Sequence, residues 1–383
     1  MQPVSVSDYR LLAQKRLPHF LFEYLDGGAF SETTLRNNRL DLEQIALKQR
    51  VLMGVDAPDL TTTLFGQPFR LPVALGPIGL AGLNSRRGEC QAARAAAKAG
   101  VPFTLSTVSA CSLGEVVAAS PGPIWFQLYM TKDRGFMRDM LSLAQAQGCS
   151  ALIFTVDMPV PGIRYRDYRS GLTGAPGIRG ATRRFLQAAA RPKWAWDVGV
   201  RGRPHQLGNV AQVLGARATV EDFFGWAREN FDPSISWRDL DAVRSAWTGP
   251  LIIKGVLDAD DGRRAADMGA DGVVVSNHGG RQLDGAVSTV RALPAVVDAI
   301  GDRLAVLADG GVRSGADVIR LLALGAKGVL LGRAWAYALA GGGERGVSHV
   351  LALIEAEMRV LMTLTGARTL AEVNRDILAD THQ

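Results

Sequence analysis

Short apolar runs recur along the chain, each closed by glycine or a polar residue. They are PVALGP (72–77), PFTLST (102–107), IWFQLY (124–129), ALIFTVD (151–157), LIIKGV (251–256), GVVVSN (272–277), AVLADGG (305–311) and GVLLGR (328–333). The runs are continuous rather than alternating, which predicts strands buried on both faces and hence a parallel sheet. Helical patterns lie between most of them. GECQAARAAAKAG (88–100) is alanine-rich and stops at Gly100. SLGEVVAA (112–119) opens with Ser112 and Glu115 at capping-box spacing, and SGADVIRLLALG (314–325) starts at Ser314 and stops at Gly325. Eight strand–helix units predict an α/β fold, a (β/α)8 TIM barrel. A doubly wound sheet is the alternative, but eight units favour closure, and no GxGxxG follows the first strand.

The same pattern divides the chain. Residues 71–157 and 251–340 hold the barrel core. Residues 1–70 form an N-terminal extension with a helix expected around 7–25, and 341–383 read as C-terminal helices. Residues 158–250 form an insert far longer than an ordinary loop between strand and helix. It leaves the C-terminal end of the fourth strand, where barrel enzymes keep their chemistry, so a lid or docking element is expected there.

Polar residues gather at the C-terminal ends of the runs, where a barrel interior is otherwise apolar. They are Ser106 and Thr107, then Gln127 and Tyr129, then Thr155 and Asp157. Lys254 follows, then Ser276, Asn277, His278, Gly279, Gly280 and Arg281, then Asp309, Gly310, Gly311 and Arg313, and last Gly332 and Arg333. Two subsites can be read. The DGGVR turn (309–313) and Gly332–Arg333 follow the last two strands, where glycine N–H groups and arginines form the phosphate site of many barrels. Glycines serving tight turns alone are the alternative. The second subsite is His278 with Asp157, Arg281 and Arg164. A carboxylate orients a histidine and raises its basicity, and guanidinium forks hold carboxylates. Tyr24 and Tyr129 add hydroxyl donors. Lys254, with no carboxylate near it in its own strand, suits an electron-accepting ring that becomes anionic on reduction. Each residue also has a structural reading: Lys254 reaching to solvent, Asp157 as a cap or an arginine partner. The functional reading rests on their convergence at one rim.

Composition narrows this further. The 383 residues are 47% hydrophobic and 21% charged, which excludes a disordered chain. Cys90, Cys111 and Cys149 are scattered, with no CxxC, so neither a disulfide framework nor a zinc site is expected, and the thiols read as reduced. The N-terminus lacks the apolar core of a secretory signal, and no apolar stretch is long enough to span a bilayer. The formal charge of +6 is local. Residues 175–205 carry Arg179, Arg183, Arg184, Arg191, Lys193, Arg201 and Arg203 against Asp197, interleaved with Phe185, Leu186, Trp194 and Trp196. Basic residues with tryptophan suit anionic lipid headgroups. A solvated loop is the alternative. No nucleic-acid motif accompanies the charge, so no nucleic acid is expected.

SNHGGRQLD (276–284) resembles the signature of the FMN-dependent α-hydroxy-acid dehydrogenase and oxidase family. YLDGGA (24–29), LSTVS (105–109), WFQLY (125–129), FTVD (154–157), IKG (253–255), DGGVRSG (309–315) and LLGRA (330–334) fit in order. The resemblance covers essentially the whole chain. LPHFLFEYLDGGA (17–29), KWAWDVG (193–199) and NFDPSISWRDL (230–240) are most similar to the branch that oxidises L-lactate in bacterial respiration.

This resemblance implies oxidation of L-lactate to pyruvate, with electrons passing from FMN to a quinone or another respiratory carrier. It implies a homotetramer, peripheral on the cytoplasmic face of the inner membrane through the basic insert. His278 would be the base, paired with Asp157; Arg281, Arg164 and Tyr24 would hold the substrate carboxylate, and Tyr129 would meet its hydroxyl. Lys254 would sit by the flavin N1/C2 carbonyl. Ser106, Gln127, Thr155 and Ser276 would serve the ring edge, and Pro77, Ile78 and Gly79 would lie near N5. Asp309, Gly310, Gly311, Arg313, Gly332 and Arg333 would hold the ribityl phosphate end. Gly79 is alanine in many oxidases of the family, so glycine leans toward a dehydrogenase. Gly310 replaces the serine of a DSG turn. The alternatives are a mandelate or longer-chain 2-hydroxy-acid dehydrogenase and a peroxide-forming oxidase. A non-catalytic flavin-binding barrel would need no base, and a non-redox isomerase would need neither Lys254 nor Gln127.

Overall fold

The computed structural model describes residues 2–174, 177–202, 208–215 and 220–379. Arg203 of the basic segment lies outside them. Helices α1 (Val6–Arg16), α2 (His19–Asp26) and α3 (Thr33–Glu43) come first. The single helix expected around 7–25 is two. Pro18 forces Leu17 into an extended conformation (φ −74°, ψ 147°) and then starts α2. A hairpin of β1 (Thr62–Leu64) and β2 (Gln67–Phe69) follows.

Eight parallel strands then close a barrel: β3 (Val73–Leu75), β4 (Phe103–Ser106), β5 (Ile124–Tyr129), β6 (Ala151–Thr155), β7 (Leu251–Val256), β8 (Gly272–Val275), β9 (Ala305–Ala308) and β10 (Gly328–Leu331). Each neighbours the next, and β10 pairs with β3. Every residue of β3–β6, β8 and β10 is buried, which is why the runs carry no alternation.

The crossovers form where the caps predict. Helix α4 (Gly88–Ala99) ends at Gly100 in the left-handed region (φ 67°), and α5 (Leu113–Ala119) has the complete Ser112–Glu115 capping box. Helix α6 (Arg134–Ala146) precedes β6, and Gly315–Ala323 starts at the Ser314 cap. The last crossover runs into Arg333–Thr365, kinked at Gly343.

The barrel has two ends with different chemistry. At the N-terminal end the β1–β2 hairpin acts as a plug. Leu64 and Phe69 join Trp125, Ile153, Ile252, Val274, Leu307 and Leu330 in a closed apolar cluster, with Phe65 at 5.8 Å from Trp125. The polar end carries a cavity. Beside it the insert runs through α7 (Tyr165–Ser170), α8 (Gly177–Ala189) and a helix at Val220–Asn230. Its described segment 187–194 is fastened to the rest of the chain. Gln187 bridges the Phe20 N–H and the Ser170 carbonyl (2.8 and 3.0 Å), Arg191 donates to Leu17 O (3.0 Å) and Trp194 to Leu83 O (2.7 Å).

Candidate active site

The C-terminal rim surrounds a cavity of about 450 Å³. Tyr24, Pro77, Ile78, Gly79, Tyr129, Thr155 and Arg164 line it, together with Lys254, His278, Arg281, Asp309, Gly310, Gly311, Arg313, Gly332 and Arg333. Asp157 and Ser276 stand behind that lining and reach it through His278 and Lys254, and Ser106 and Gln127 lie outside it, bonded to each other.

His278 is the most constrained of these. It has φ 57°, and Gly279 (63°) and Gly280 (72°) continue the left-handed turn. A histidine there is strained and needs support. Its backbone N–H donates to Ser276 Oγ (3.1 Å), and its Nδ1 lies 2.9 Å from Asp157 Oδ1. A carboxylate at Nδ1 fixes the proton on that nitrogen and leaves Nε2 as the basic atom. Burial pushes the His278 pKa down, and Asp157 opposes it without reversing it. For Asp157 burial acts upward, but His278 and then Lys254 outweigh it, so the carboxylate lies below its usual range. Asp157 can approach because Gly255 follows Lys254 at a register irregularity in β7. With φ 111°, a Cβ there would stand 2.5 Å from that of Asp157. A glycine inside a strand run is the sequence signal for such an approach.

Lys254 does have a carboxylate partner, contributed from beyond β9 rather than by its own strand. Its Nζ lies 3.1 Å from Asp309 Oδ2 and donates to Ser276 Oγ at 2.8 Å. Burial lowers the lysine pKa, but Asp309 and Asp157 outweigh it, so the ammonium is retained.

Two more cations line the cavity, Arg164 and Arg281. Tyr24 lies between the guanidinium groups of Arg281 (5.1 Å) and Arg164 (5.7 Å). Burial, then Arg164 and Arg333, pull Arg281 down to about 9. Crowded, desolvated cations of this kind favour an incoming anion. Asp167, which the sequence does not single out, sits 3.7 Å from Arg164. Burial pushes its pKa upward against that arginine. Tyr129 is pushed up by burial and then by Asp157, so it stays a hydroxyl donor. Phe231, from the insert, stands 5.2 Å from its ring.

The remaining residues suit a flavin phosphate. Gln127 Nε2, Thr155 Oγ1 and Asp309 Oδ1 are buried without a hydrogen-bond partner, an arrangement that a planar ring edged with donors and acceptors would satisfy. Ser106 holds Gln127 Oε1 at 2.9 Å. Gly310 and Gly311 have φ 91° and 81°, and a Cβ at Gly311 would lie 2.1 Å from Asn38 O, so that turn stays bare backbone. Arg313 stacks over Tyr337 at 5.6 Å. Arg333 donates to the carbonyls of Leu25, Gly27 and Gly279 (3.1, 2.7 and 2.9 Å), gripping the N-terminal extension. A Cβ at Gly332 would meet nothing, whereas one at Gly79 would lie 3.0 Å from Val108 Cγ2.

Fold and site together define a (β/α)8 barrel whose C-terminal rim carries a His278–Asp157 pair and a group of arginines around one cavity. The FMN-dependent dehydrogenase family matches residues 13–380, and the chain belongs to that family. FMN is its cofactor. The L-lactate dehydrogenase of Caulobacter vibrioides is 63% identical over 98% of this chain and 97% of its own length. That of Yersinia pestis is 60% identical over 97% of each. Among solved structures, the monotopic membrane protein (S)-mandelate dehydrogenase superposes with a TM-score of 0.93 at 36% identity, covering 99% of this chain and 100% of the other. A mandelate oxidase variant with (S)-mandelic acid gives 0.82 at 36% identity over 97% of each chain.

Proposed function

We propose that this enzyme oxidises L-lactate to pyruvate and delivers the two electrons to a respiratory acceptor. The observation that carries the reading is one cavity lined by His278, itself paired with Asp157, and by Arg164, Tyr24 and Arg281. The substrate carboxylate sits on Arg281 and Arg164, with Tyr24 between them. Tyr129 donates to the C2 oxygen. His278 Nε2 takes a proton from the C2 carbinol group, and Asp157 stabilises the imidazolium that results. FMN, when bound, would supply the two-electron acceptor for this oxidation, and the second hydrogen of the carbinol would leave with that electron pair or to solvent. Lys254 places a fixed positive charge beside the ring, and Gln127, Thr155 and Ser106 fix its polar edge. The Gly310–Gly311 turn and Arg313 take the phosphate.

The acceptor is a quinone, or another respiratory carrier, at a membrane surface on the cytoplasmic side. The insert supports this. Ile178 (86% exposed), Phe185, Leu186 and Trp196 face outward beside Arg179, Arg183, Lys193 and Arg201. Apolar anchors among cations suit an anionic headgroup layer. Among the described residues no helix is long and apolar enough to cross a membrane. The test is anaerobic addition of L-lactate to the FMN-loaded protein. Bleaching of the visible flavin band supports the reading, and a protein that bleaches with (S)-mandelate but not with L-lactate contradicts it.

A further inference from the structure

The C-terminal end of α2 holds a buried acid in a place where a helix favours a cation. Asp26 is 6% exposed, and a carboxylate in the last turn faces the negative end of the helix dipole. Three separate parts of the chain hold it there. Arg10 of α1 grips both carboxylate oxygens at 2.6 and 2.8 Å. Arg166 of α7 reaches Oδ2 at 2.9 Å, and Tyr337 donates to Oδ1 at 2.6 Å. Arg166 also pairs with Glu23, which fixes the turn before Asp26.

The carbonyls beside Asp26 seat Arg281. Its Nη1 donates to Tyr24 O at 2.8 Å and Gly27 O at 2.7 Å, and Arg333 shares the Gly27 carbonyl. Among the described residues, Arg281's side-chain hydrogen bonds go to the end of α2. The His278 ring and N–H are held by Asp157 and Ser276, while the residues after it are tied to the end of α2, Gly279 through Arg333 and Gly280 through the Ala29 N–H. The end of α2 therefore holds the Arg281 guanidinium directly, and the His278 ring only by way of the backbone at Gly279 and Gly280.

We infer that Asp26, remote from the reacting atoms, is a positioning residue for carboxylate recognition: by locking the end of α2 it fixes the carbonyl seats that aim Arg281 into the cavity. This rests on the reading of Arg281 as a carboxylate ligand. The test is Asp26→Asn in the full, FMN-loaded chain. It uses the dissociation constant of oxalate, read from the perturbed flavin spectrum, beside KM and kcat for L-lactate with a dye acceptor. The expected result is that the oxalate constant and KM rise together about tenfold, the size of one lost charge-assisted hydrogen bond, while kcat changes by less than about threefold. Asp26→Glu restores most of the affinity. Arg10→Gln keeps Asp26, Arg166 and Tyr337 and gives the same split at smaller size, and it serves if Asp26→Asn does not fold. Unchanged oxalate affinity in the folded variant, or a kcat loss larger than the affinity loss, overturns the inference and leaves the proposed function standing. A wild-type flavin that responds to neither oxalate nor L-lactate overturns both.

Discussion

His278 Nδ1 and Asp157 Oδ1 meet at 2.9 Å across two strands that are not neighbours, because β7 lies between β6 and β8. The contact passes over Gly255, where a Cβ would collide with Asp157. Gly255→Ala is therefore expected to push Asp157 off the histidine. Strain at φ 111° costs roughly 1–3 kcal/mol. Displacement of the pair lowers lactate-driven flavin reduction by up to about a hundredfold. Melting temperature and anaerobic reduction rate check the two effects separately.

The pH dependence follows from the same pair. Burial, only partly opposed by Asp157, places the His278 pKa below its ordinary 6.5, and the base works neutral. The acid limb of kcat/KM is expected below pH 6.5, and it belongs to the coupled pair. Through that window the folded chain binds fewer protons than the unfolded one, so stability also falls as pH falls. Asp157→Asn removes the raising influence and moves the limb further toward acid, at lower rate throughout. A limb above 6.5 contradicts this. The check is a kcat/KM profile with a soluble acceptor.

Lys254 and Asp309 form a largely buried pair in the lining of the cavity. Lys254→Met leaves Asp309 without its cation. The expected loss is about 3–5 kcal/mol of stability in the FMN-free protein, with weaker FMN retention. Lys254→Met with Asp309→Asn recovers much of the stability but not the rate of flavin reduction. Denaturant unfolding and flavin release on dilution measure both.

The outward side chains of the insert can be changed without touching its anchors. Phe185→Ser with Trp196→Ser removes two large exposed apolar groups, 71% and 61% exposed, and leaves Gln187, Arg191 and Trp194 in place. Co-sedimentation with anionic vesicles is expected to fall severalfold while dye-coupled turnover is unchanged. Full retention on vesicles contradicts the membrane-facing assignment.

The barrel is legible in the chain because its strands are buried on both faces and its helices begin and end on strong caps, Ser112, Ser314 and Gly100 among them. The hairpin at 62–69 is not, since its three-residue strands are too short for any periodicity to show. The break at Pro18 follows from that proline, but the apolar pattern runs through it. The set of rim residues follows from closure, which brings every strand end to one cavity. Which residue meets which depends on long-range register. Asp309 reaches Lys254 from beyond β9, and Arg333, in the cavity lining, gives its N–H groups to carbonyls near α2. Nothing local to Lys254 or Arg333 encodes those partners.

The most direct test of the account is anaerobic single-turnover reduction of FMN by L-lactate in the wild type and in His278→Gln. The account predicts full FMN content in both and a reduction rate lowered by about 10²–10⁴ in the variant. A His278→Gln protein that holds FMN and is reduced at the wild-type rate would contradict the assignment of the base and the mechanism built on it.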